Sequence, residues 1–525
     1  MDYLKIGKAT ELQGKNYKLY RVLEILPGFL SWSTLLLLLI FSYFYPVAVA
    51  FFIIAFDVYW LLLVFYLGVH LLSSYAKVKK NIKIDWKNKL YSLDRRILKR
   101  TDFASCNNIE MKFKWNEIIH LIIFPIACES FEIIAQSVKA ITETGYPKEN
   151  MILVLSVEER GGKELKARAE AAKKEFAGFF RNFIVTTHPD GLIGELKGKG
   201  ANQSWAAKVV KKDLIDKEGL DYDKILASVF DIDTVVYPDY FHCLTYKFLT
   251  VEDPYRASYQ PIPLYHNNVW QASFFARVAA SSNTFWQMMQ QIRQEKLATY
   301  SSHSMTWRAL VEAGFWGKTM VSEDSRIFWH CFCHYNGDYR VEPLYYPVSM
   351  DVTMDDTAWQ TAKNLYKQQR RWGWGVENIP YLFFNGIKLW PKFKKGKLIN
   401  RIFVQIYGFH SWATNALIIG VIGWMPMLLG GNRFNATVLS TNLPVVTRVL
   451  MTVAMFGLVL SAILSTVLLP KKPKKYGFFK YIVMFLQWLV LPFSIIIFGA
   501  IPGLDAQTRL MFGKYLGFFV TPKSR

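Results

Sequence analysis

The sequence predicts an α/β domain with a mostly parallel sheet, embedded in a protein with α-helical membrane spans. Two features of the 525-residue chain support this prediction. Residues 115–375 alternate short apolar runs with charged helical patterns, as the strands and helices of an α/β domain do. Long apolar runs lie on both sides of that segment, and 52% of all residues are hydrophobic, with a mean hydropathy of +0.13. These values are high for a soluble enzyme.

The chain begins with two apolar runs, residues 26–45 and 47–72, each long enough to cross ~30 Å of hydrocarbon as a helix. Basic residues lie on both flanks, and residues 77–100 hold ten basic and two acidic side chains. Because cytoplasmic flanks of spans carry excess Lys and Arg, both flanks are predicted to be cytoplasmic. Residues 1–75 therefore form a predicted transmembrane hairpin, and residues 76–114 a basic cytoplasmic linker.

The C-terminal part of the chain returns to apolar sequence. Residues 376–401 are rich in Trp, Phe and Lys, which predicts amphipathic helices in the membrane interface. Residues 402–525 hold about three further predicted spans, at 402–429, 443–469 and 478–501. The side of the C-terminus stays open, because five spans place it outside, whereas a re-entrant break at Pro492 would return it to the cytosol.

The net charge of +22 predicts anionic partners. We attribute it to the basic cytoplasmic flanks and to attraction for anionic lipid headgroups, so membrane lipids are predicted partners and nucleic acid is not. The prediction is an integral, multi-pass membrane protein, of the plasma membrane, with its polar domain in the cytoplasm. The sequence carries no signal for the oligomeric state.

Within the polar domain, the elements follow from short apolar runs and helical periodicity. The predicted strands are residues 118–125, 151–157, 183–186 and 224–230, and the predicted helices are residues 131–143, 163–180 and 202–210. Their alternation predicts a doubly wound sheet, whose ligands bind at the carboxyl ends of the strands.

The pair Asp231 and Asp233 directly follows the fourth predicted strand. Two carboxylates at such a strand end suit a hard divalent cation that neutralises a leaving diphosphate. An ordinary polar turn after a strand is the alternative interpretation.

Two further polar stretches precede this pair in the chain. Glu158 and Glu159 end the second predicted strand, where a carboxylate suits a base or a ribose, or else is a solvated loop charge. Lys199 and Asn202 belong to a Gly-flanked loop that opens a helix, a geometry that suits phosphate. The alternative for that loop is an ordinary basic turn.

Two later strings complete the candidate site. Glu323 and Asp324 suit a general base that accepts the proton of an attacking hydroxyl, although Ser322 with acidic residues also fits a helix N-terminal box. In residues 368–372, an arginine can bind phosphate by its fork and a tryptophan offers a flat face to a sugar ring. The alternative for the last string is a basic amphipathic helix at the membrane surface.

The order of these motifs resembles that of the membrane-integrated family-2 glycosyltransferases, which include cellulose, chitin and hyaluronan synthases. The matching motifs run from about Trp115 to Trp372, and the flanking spans match in arrangement. The resemblance implies a cytosolic GT-A fold, a nucleotide-sugar donor (usually a UDP-sugar), and Mg²⁺ or Mn²⁺. It also implies inverting transfer to a glycan or lipid acceptor.

The resemblance implies a role for each matching residue. The nucleotide-sugar-binding residues are Glu158, Glu159, Lys199, Asn202, Asp231, Gln368 and Arg371, and the metal ligands are Asp233 and Asp231. Asp324, with Glu323, is the implied catalytic residue, and Trp372, Phe315 and Trp316 are assigned to the acceptor. The chain departs from the family pattern in having Glu at 158–159 and Ser322 in place of Thr, and no clear gating-loop motif follows Trp374.

Three functions remain open at this stage. The first is synthesis and export of a polysaccharide, and the second is non-processive transfer to a membrane lipid. The third is an inactive transporter or scaffold, which the intact carboxylates and the Gln-x-x-Arg-Trp string argue against.

Overall fold

A computed structural model describes residues 3–99, 113–517 and 519, and it confirms an α/β domain between groups of apolar helices. Part of the predicted linker and the end of the chain lie outside the described residues. The strands are β1 (Ile119–Ile126), β2 (Met151–Glu158), β3 (Asn182–His188), β4 (Ile225–Val229), β5 (Val235–Val236), β6 (Ala257–Leu264), β7 (Ser304–Thr306) and β8 (Arg340–Ser349).

The α-helices begin with two long ones and end with a broken segment. They are α1 (Gly14–Phe44), α2 (Pro46–Ile82), α3 (Trp86–Lys99), α4 (Phe131–Thr142), α5 (Gly162–Phe176), α6 (Lys199–Val210), α7 (Tyr240–Thr250), α8 (Phe274–Ile292), α9 (Trp307–Glu312), α10 (Glu323–His334), α11 (Ala358–Gly373), α12 (Asn378–Lys388), α13 (Lys395–Gly420), α14 (Met425–Leu429), α15 (Gly431–Asn435), α16 (Val438–Val467), α17 (Phe479–Leu486), α18 (Leu491–Ile495) and α19 (Ile501–Met511).

One mixed eight-stranded sheet, in the order β3-β2-β1-β4-β7-β6-β8-β5, forms the centre of the α/β domain. Strands β1 to β4 pair in parallel, whereas β7 is antiparallel to both of its neighbours. Every residue of β1 and β2 is buried, because both are continuous apolar runs covered on each face by helices. The parallel half confirms the predicted doubly wound arrangement and brings the ends of β1, β2 and β4 to one edge.

Among the described residues, four helical segments are long and apolar enough to cross a membrane: α1, α2, α16 and the segment Phe479–Met511. A fifth candidate joins α13 to residues Ile422–Leu429 across a bend of 42°. Exposed large apolar side chains are frequent along α1, α2 and α16, which is the pattern of helices that face lipid. The predicted runs are therefore all helical, and α1 and α2 extend beyond them toward the α/β domain.

The segment Phe479–Met511 differs from the predicted simple span, because it contacts the α/β domain along its whole length. Near its start, Gln487 Oε1 accepts a hydrogen bond from Arg277 Nε on α8 at 2.7 Å. In its middle, Phe498 stacks on Phe275 with ring centroids 5.5 Å apart. Near its end, Asp505 on α19 accepts from Arg370 of α11 at 3.0 Å. Proline residues at the first turns of α18 and α19 accompany the breaks.

The two ends of the chain meet through α1 and α19. Arg21 donates to the carbonyl of Leu510 at 2.9 Å and pairs with Glu24 at 2.6 Å. Glu24 is 1% exposed and also accepts from the Tyr515 hydroxyl at 2.8 Å. A cation is favourable at the C-terminus of a helix, so Arg21 caps α19 and holds it against α1.

Helix α12 buries the aromatic side of residues 376–401, the segment predicted to lie in the membrane interface. The prediction placed this aromatic and basic segment flat in the membrane interface, but Tyr381, Leu382 and Phe384 are fully buried. Helix α12 packs against α10 and α1, and the Tyr381 hydroxyl donates to the Leu4 carbonyl at 3.0 Å. The aromatic side of the segment therefore belongs to the protein interior, and exposure is confined to residues such as Ile387 and Trp390.

Candidate active site

Lys199 joins the carboxylates that follow β4 to those at the start of α10. Its Nζ lies 2.8 Å from Asp231 Oδ1 and 2.9 Å from both carboxylate oxygens of Asp324. The side chain is buried, which by itself disfavours an ammonium, yet the nearby carboxylates of Asp231 and Asp324 outweigh that effect and hold the pKa of Lys199 above its usual value. Lys199 therefore stays charged and binds Asp324, 125 positions away in the sequence.

Gly200 allows the start of α6, which carries Lys199, to lie close to the start of α10. Lys199 opens α6, and a Cβ on Gly200 would lie 2.6 Å from the Gly317 carbonyl oxygen and 3.0 Å from Glu323 Cβ. Only a residue without a side chain lets the start of α6 come this close to the start of α10. The Gly-Lys-Gly string thus serves close approach between two helix ends, as well as presenting the lysine.

Glu323 lies beside the cluster with 1% exposure. Burial raises the pKa of its carboxyl to about 8, with a further contribution from the Asp324 charge, and Lys199 and Arg371 offset this only in part. Glu323 is therefore protonated at neutral pH and is a poor proton acceptor. Of the two predicted catalytic carboxylates, Asp324 is the one whose position suits a base.

Replacing Glu323 with Gln should flatten the pH dependence of stability. The pKa rises from 4.5 in the unfolded chain to about 8 in the folded one, so the folded state keeps a proton that the unfolded state loses. The stabilisation is complete below the lower value and is lost as the pH rises through the upper one. Melting temperatures measured from about pH 5 to about pH 9 should fall more steeply for the wild type than for E323Q. Parallel curves would contradict the buried, protonated state of this carboxyl.

Asp233 is 2% exposed and is held in place from two sides. Its Oδ2 accepts from the backbone N–H of Asp351 at 3.1 Å, and its carbonyl accepts from Asn267 Nδ2 at 2.8 Å. Among the described residues, no cluster of three or more His, Cys, Asp or Glu side chains forms a complete metal site. Asp231 and Asp233 nevertheless fit Mg²⁺ or Mn²⁺, because Mg²⁺ takes one or two protein carboxylates when substrate phosphates supply further ligands.

The Gln-x-x-Arg-Trp string forms the end of α11, next to Asp233. Gln368 accepts from the Thr353 hydroxyl at 2.8 Å, and Gln368 and Trp372 line a small cleft together with Asp351 and Tyr265. Arg371 lies close enough to Glu323 to lower the pKa of that carboxyl. The structure therefore brings Gln368, Arg371 and Trp372 to the same site as the predicted carboxylates.

Glu158 and Glu159 lie at the end of β2 and line a cavity of about 100 Å³. Glu158 pairs with Arg160, and Glu159 accepts from the backbone N–H of Asp190 at 2.9 Å. His188 and Glu195 form another wall, joined by a contact of 2.9 Å. The predicted nucleotide-binding carboxylates thus border a real recess beside the loop that leads to Lys199.

Three predicted site residues lie elsewhere than expected. Asn202 is fully buried, and its amide is hydrogen-bonded to the Ser156 carbonyl at 2.8 Å, so it fastens α6 to β2. Phe315 and Trp316 are 7% and 2% exposed and pack in the apolar core beside Trp307. The assignment of Phe315 and Trp316 to the acceptor stays a prediction, and both rings lie in the interior after a turn with φ of +73° at Phe315.

Sequence reasoning missed two neighbours of the cluster. The Ser301 hydroxyl donates to Asp231 Oδ2 at 2.5 Å, and the Thr299 hydroxyl donates to the Asp324 carbonyl at 2.6 Å. His303, which the sequence alone did not assign, is buried beside Asp324, Lys199 and Asp231. Burial lowers the pKa of its imidazole in spite of those carboxylates. The string Tyr-Ser-Ser-His before β7 carries no motif that would have drawn attention to it.

The sequence model of the family described as "Glycosyl transferase family group 2" matches residues 228–501, just over half of the chain. No curated protein matches the chain. The matched range runs from β4 through α11 and into the last apolar segment, so it includes Asp231, Asp233, Asp324 and the Gln-x-x-Arg-Trp string.

Two solved structures are similar to part of this chain. One is the mannosyltransferase PcManGT from Pyrobaculum calidifontis in complex with GDP-Man and Mn²⁺, with 12% identity and a TM-score of 0.41, over 77% of this chain and 99% of that chain. The other is S. aureus TarS, with 9% identity and a TM-score of 0.30, over 65% of this chain and 54% of that chain. At these scores neither likeness bears on substrate or mechanism.

Proposed function

This chain belongs to glycosyl transferase family group 2, and we propose that it moves a sugar from a nucleotide-sugar donor to an acceptor at the cytosolic membrane face. The observation that carries the proposal is the cluster around Lys199. The Lys199 ammonium contacts both Asp231, which we assign to the donor, and Asp324, which we assign to the acceptor. Inverting transfer needs a base near the attacking hydroxyl and a means to neutralise the leaving diphosphate, and these two carboxylates suit the two roles.

In the proposed reaction, the acceptor hydroxyl attacks the anomeric carbon as its proton passes to Asp324. The bond between that carbon and the diphosphate breaks, and a single displacement of this kind inverts the anomeric configuration. A divalent cation held by Asp233 and Asp231 would neutralise charge on the departing nucleoside diphosphate. Lys199 and Arg371 add fixed positive charge near the same group, and Trp372 offers a face to a sugar ring.

For the donor, the recess bordered by Glu158 and Glu159 supports binding of the nucleoside. A UDP-sugar is the proposed donor, as the resemblance to cellulose, chitin and hyaluronan synthases implies. Glu158 or Glu159 would accept from the base or the ribose, and Gln368 would close the donor pocket.

The membrane arrangement is also a proposal. We place the N-terminus, the α/β domain and the C-terminus on the cytosolic side, with crossings by α1, α2, α13–α14 and α16. Two observations support it: α19 ends beside the start of α1, and the segment Phe479–Met511 follows the α/β domain along its length. This arrangement also places the lysines at 470–475 on the cytosolic side.

Two products are compatible with this chemistry. Synthesis of a β-glycan, with export, follows from the resemblance to polysaccharide synthases. Transfer to a membrane lipid is supported by the apolar residues Ala276, Ala280 and Leu365 in the lining of the cleft beside Trp372. Analysis of the radiolabelled product separates the two, because a polymer gives a ladder and a glycolipid a single extractable band.

Purified protein in lipid should release a nucleoside diphosphate from one nucleotide-sugar, and chelation of divalent cations should abolish the release. Asp231 and Asp233 cannot neutralise a leaving diphosphate without the cation. The measurement is a screen of UDP- and GDP-sugars with Mn²⁺, with Mg²⁺ and with EDTA, using Asp338→Asn, a surface carboxylate, as the control. Undiminished release in EDTA would contradict metal dependence, and no release from any donor by the folded protein would count against the proposed function.

A further inference from the structure

Helix α10, which carries Asp324, lacks a capping residue of its own. Ser322 occupies the N-cap position, but its side chain makes no capping hydrogen bond. In a capping box, a Glu at the third helical position accepts from the N-cap backbone N–H, whereas Ser325 stands at that position here. The start of α10 therefore needs an acceptor from outside the helix.

Glu377 supplies that acceptor. Its Oε1 accepts from the Ser322 backbone N–H at 3.0 Å and from the Ser322 hydroxyl at 2.5 Å. Its Oε2 accepts from the indole Nε1 of Trp374 at 2.8 Å. Glu377 is 6% exposed, and both of its carboxylate oxygens accept hydrogen bonds within the protein interior. A negative charge at this helix end is also favourable for the helix dipole.

The residue after Glu377 reinforces the same junction through Arg326, one turn into α10. Arg326 is 1% exposed and donates to the Glu377 carbonyl at 3.0 Å and to Asn378 Oδ1 at 2.6 Å. Its Nη1 donates to the Ile6 carbonyl at 3.0 Å. The start of α10 is thus fastened to residues 377–378 at two points about one helical turn apart.

We propose that Glu377 is a positioning residue, which sets the start of α10 and thereby holds Asp324 at the reacting centre. The inference rests on the proposed function for its catalytic consequence. Glu377 follows Trp372 by a single 3₁₀ turn, Trp374–Glu377. The Glu377 carboxylate therefore joins the end of α11, which carries Trp372, to the start of α10, which carries Asp324. Small misplacements of a catalytic group can cost about 10²-fold in rate, so this junction has a kinetic effect without touching substrate.

The test is Glu377→Gln, read by amide hydrogen exchange and by kinetics. The amide keeps the size of the side chain but has one acceptor oxygen, so it cannot serve Ser322 and Trp374 together. Exchange at residues 322–324 should accelerate about tenfold or more, while exchange in α4, which packs in a different apolar cluster from α10, stays unchanged. Turnover should fall about tenfold or more, with the donor KM within about twofold of the wild type.

Two further variants keep the test decisive. Trp374→Phe removes only the contact to Oε2 and should shift exchange at residues 322–324 in the same direction by a smaller amount. Glu342→Gln, which removes a carboxylate paired with Arg340 on β8, should leave that exchange unchanged. Unchanged exchange in both Glu377→Gln and Trp374→Phe, or a donor KM that rises in step with the loss of turnover, would overturn the proposal. Exchange is measured without substrate, so an enzyme inactive with every donor would refute the proposed function and leave the positioning role testable.

Discussion

Replacing Asp324 with Asn should lower sugar transfer by about 10²–10⁴-fold, the range typical for loss of a general base. The amide keeps the shape of the side chain and can still accept from Lys199, but it cannot take up the proton of the acceptor hydroxyl. Donor binding should change little, because Asp231, Asp233 and the recess at Glu158 remain. The measurement is turnover of the nucleotide-sugar together with the affinity for the nucleoside diphosphate.

Asp338→Asn is the matched control for this variant, because Asp338 is a half-exposed carboxylate that pairs with lysines on the surface of the same domain. Its turnover should equal that of the wild type. Turnover of Asp324→Asn above about a tenth of the wild-type rate would exclude Asp324 as the base. In that case, a parallel fall in nucleotide affinity would indicate that Asp324 serves the donor through Lys199.

Replacing Lys199 with Met should abolish transfer and also destabilise the protein by about 3–5 kcal/mol, the cost of removing one partner from a buried ion pair. The ammonium is the group that contacts both Asp231 and Asp324, so its loss leaves two carboxylates facing each other beside Glu323. Denaturant or thermal unfolding of the detergent-solubilised protein gives the stability, and nucleotide release gives the activity.

The control for stability is Lys211→Met, which removes a lysine paired with the exposed Asp216 farther along the same helical segment. Such surface pairs contribute about 0–1 kcal/mol, so its unfolding should stay close to that of the wild type. Adding Asp324→Asn to Lys199→Met should recover part of the lost stability, because one uncompensated charge is removed. The double variant should stay inactive. A Lys199→Met protein as stable as the wild type would refute the central role of this lysine.

The parallel half of the sheet was predictable because each of its strands is a short apolar run that ends at a polar residue. In the other, mixed half, β6 and β8 were missed because β6 contains Pro261 and Pro263, and β8 contains Pro343 and Pro347. Proline removes a backbone donor and argues against a central strand when the sequence is read alone. Here the register between β6 and β8 shifts between Gln260 and Ile262, next to one of these prolines.

The candidate site was predictable where its residues form local strings and unpredictable where they do not. Asp231, Asp233, Asp324 and the string that ends at Trp372 stand out by spacing and by their place after predicted elements. Glu377 and Ser301 act across 55 and 70 positions of sequence, respectively, and no local pattern marks either residue. The burial of Phe315 and Trp316 was not predictable either, because it depends on packing in the apolar core around Trp307 and not on a local pattern.

The contact between Arg21 and the end of α19 has a consequence for biosynthesis. Arg21 and Glu24 leave the ribosome close to 490 residues before Leu510 and Tyr515, the groups that they bind. Throughout that interval Glu24 can pair with Arg21 and accept from the Ala9 N–H, but the partners at Leu510 and Tyr515 are absent. The contact between α1 and α19 therefore forms late in biosynthesis. Truncation of the chain before α19 should leave an α1 that inserts into the membrane without this contact, and the truncated protein should be degraded.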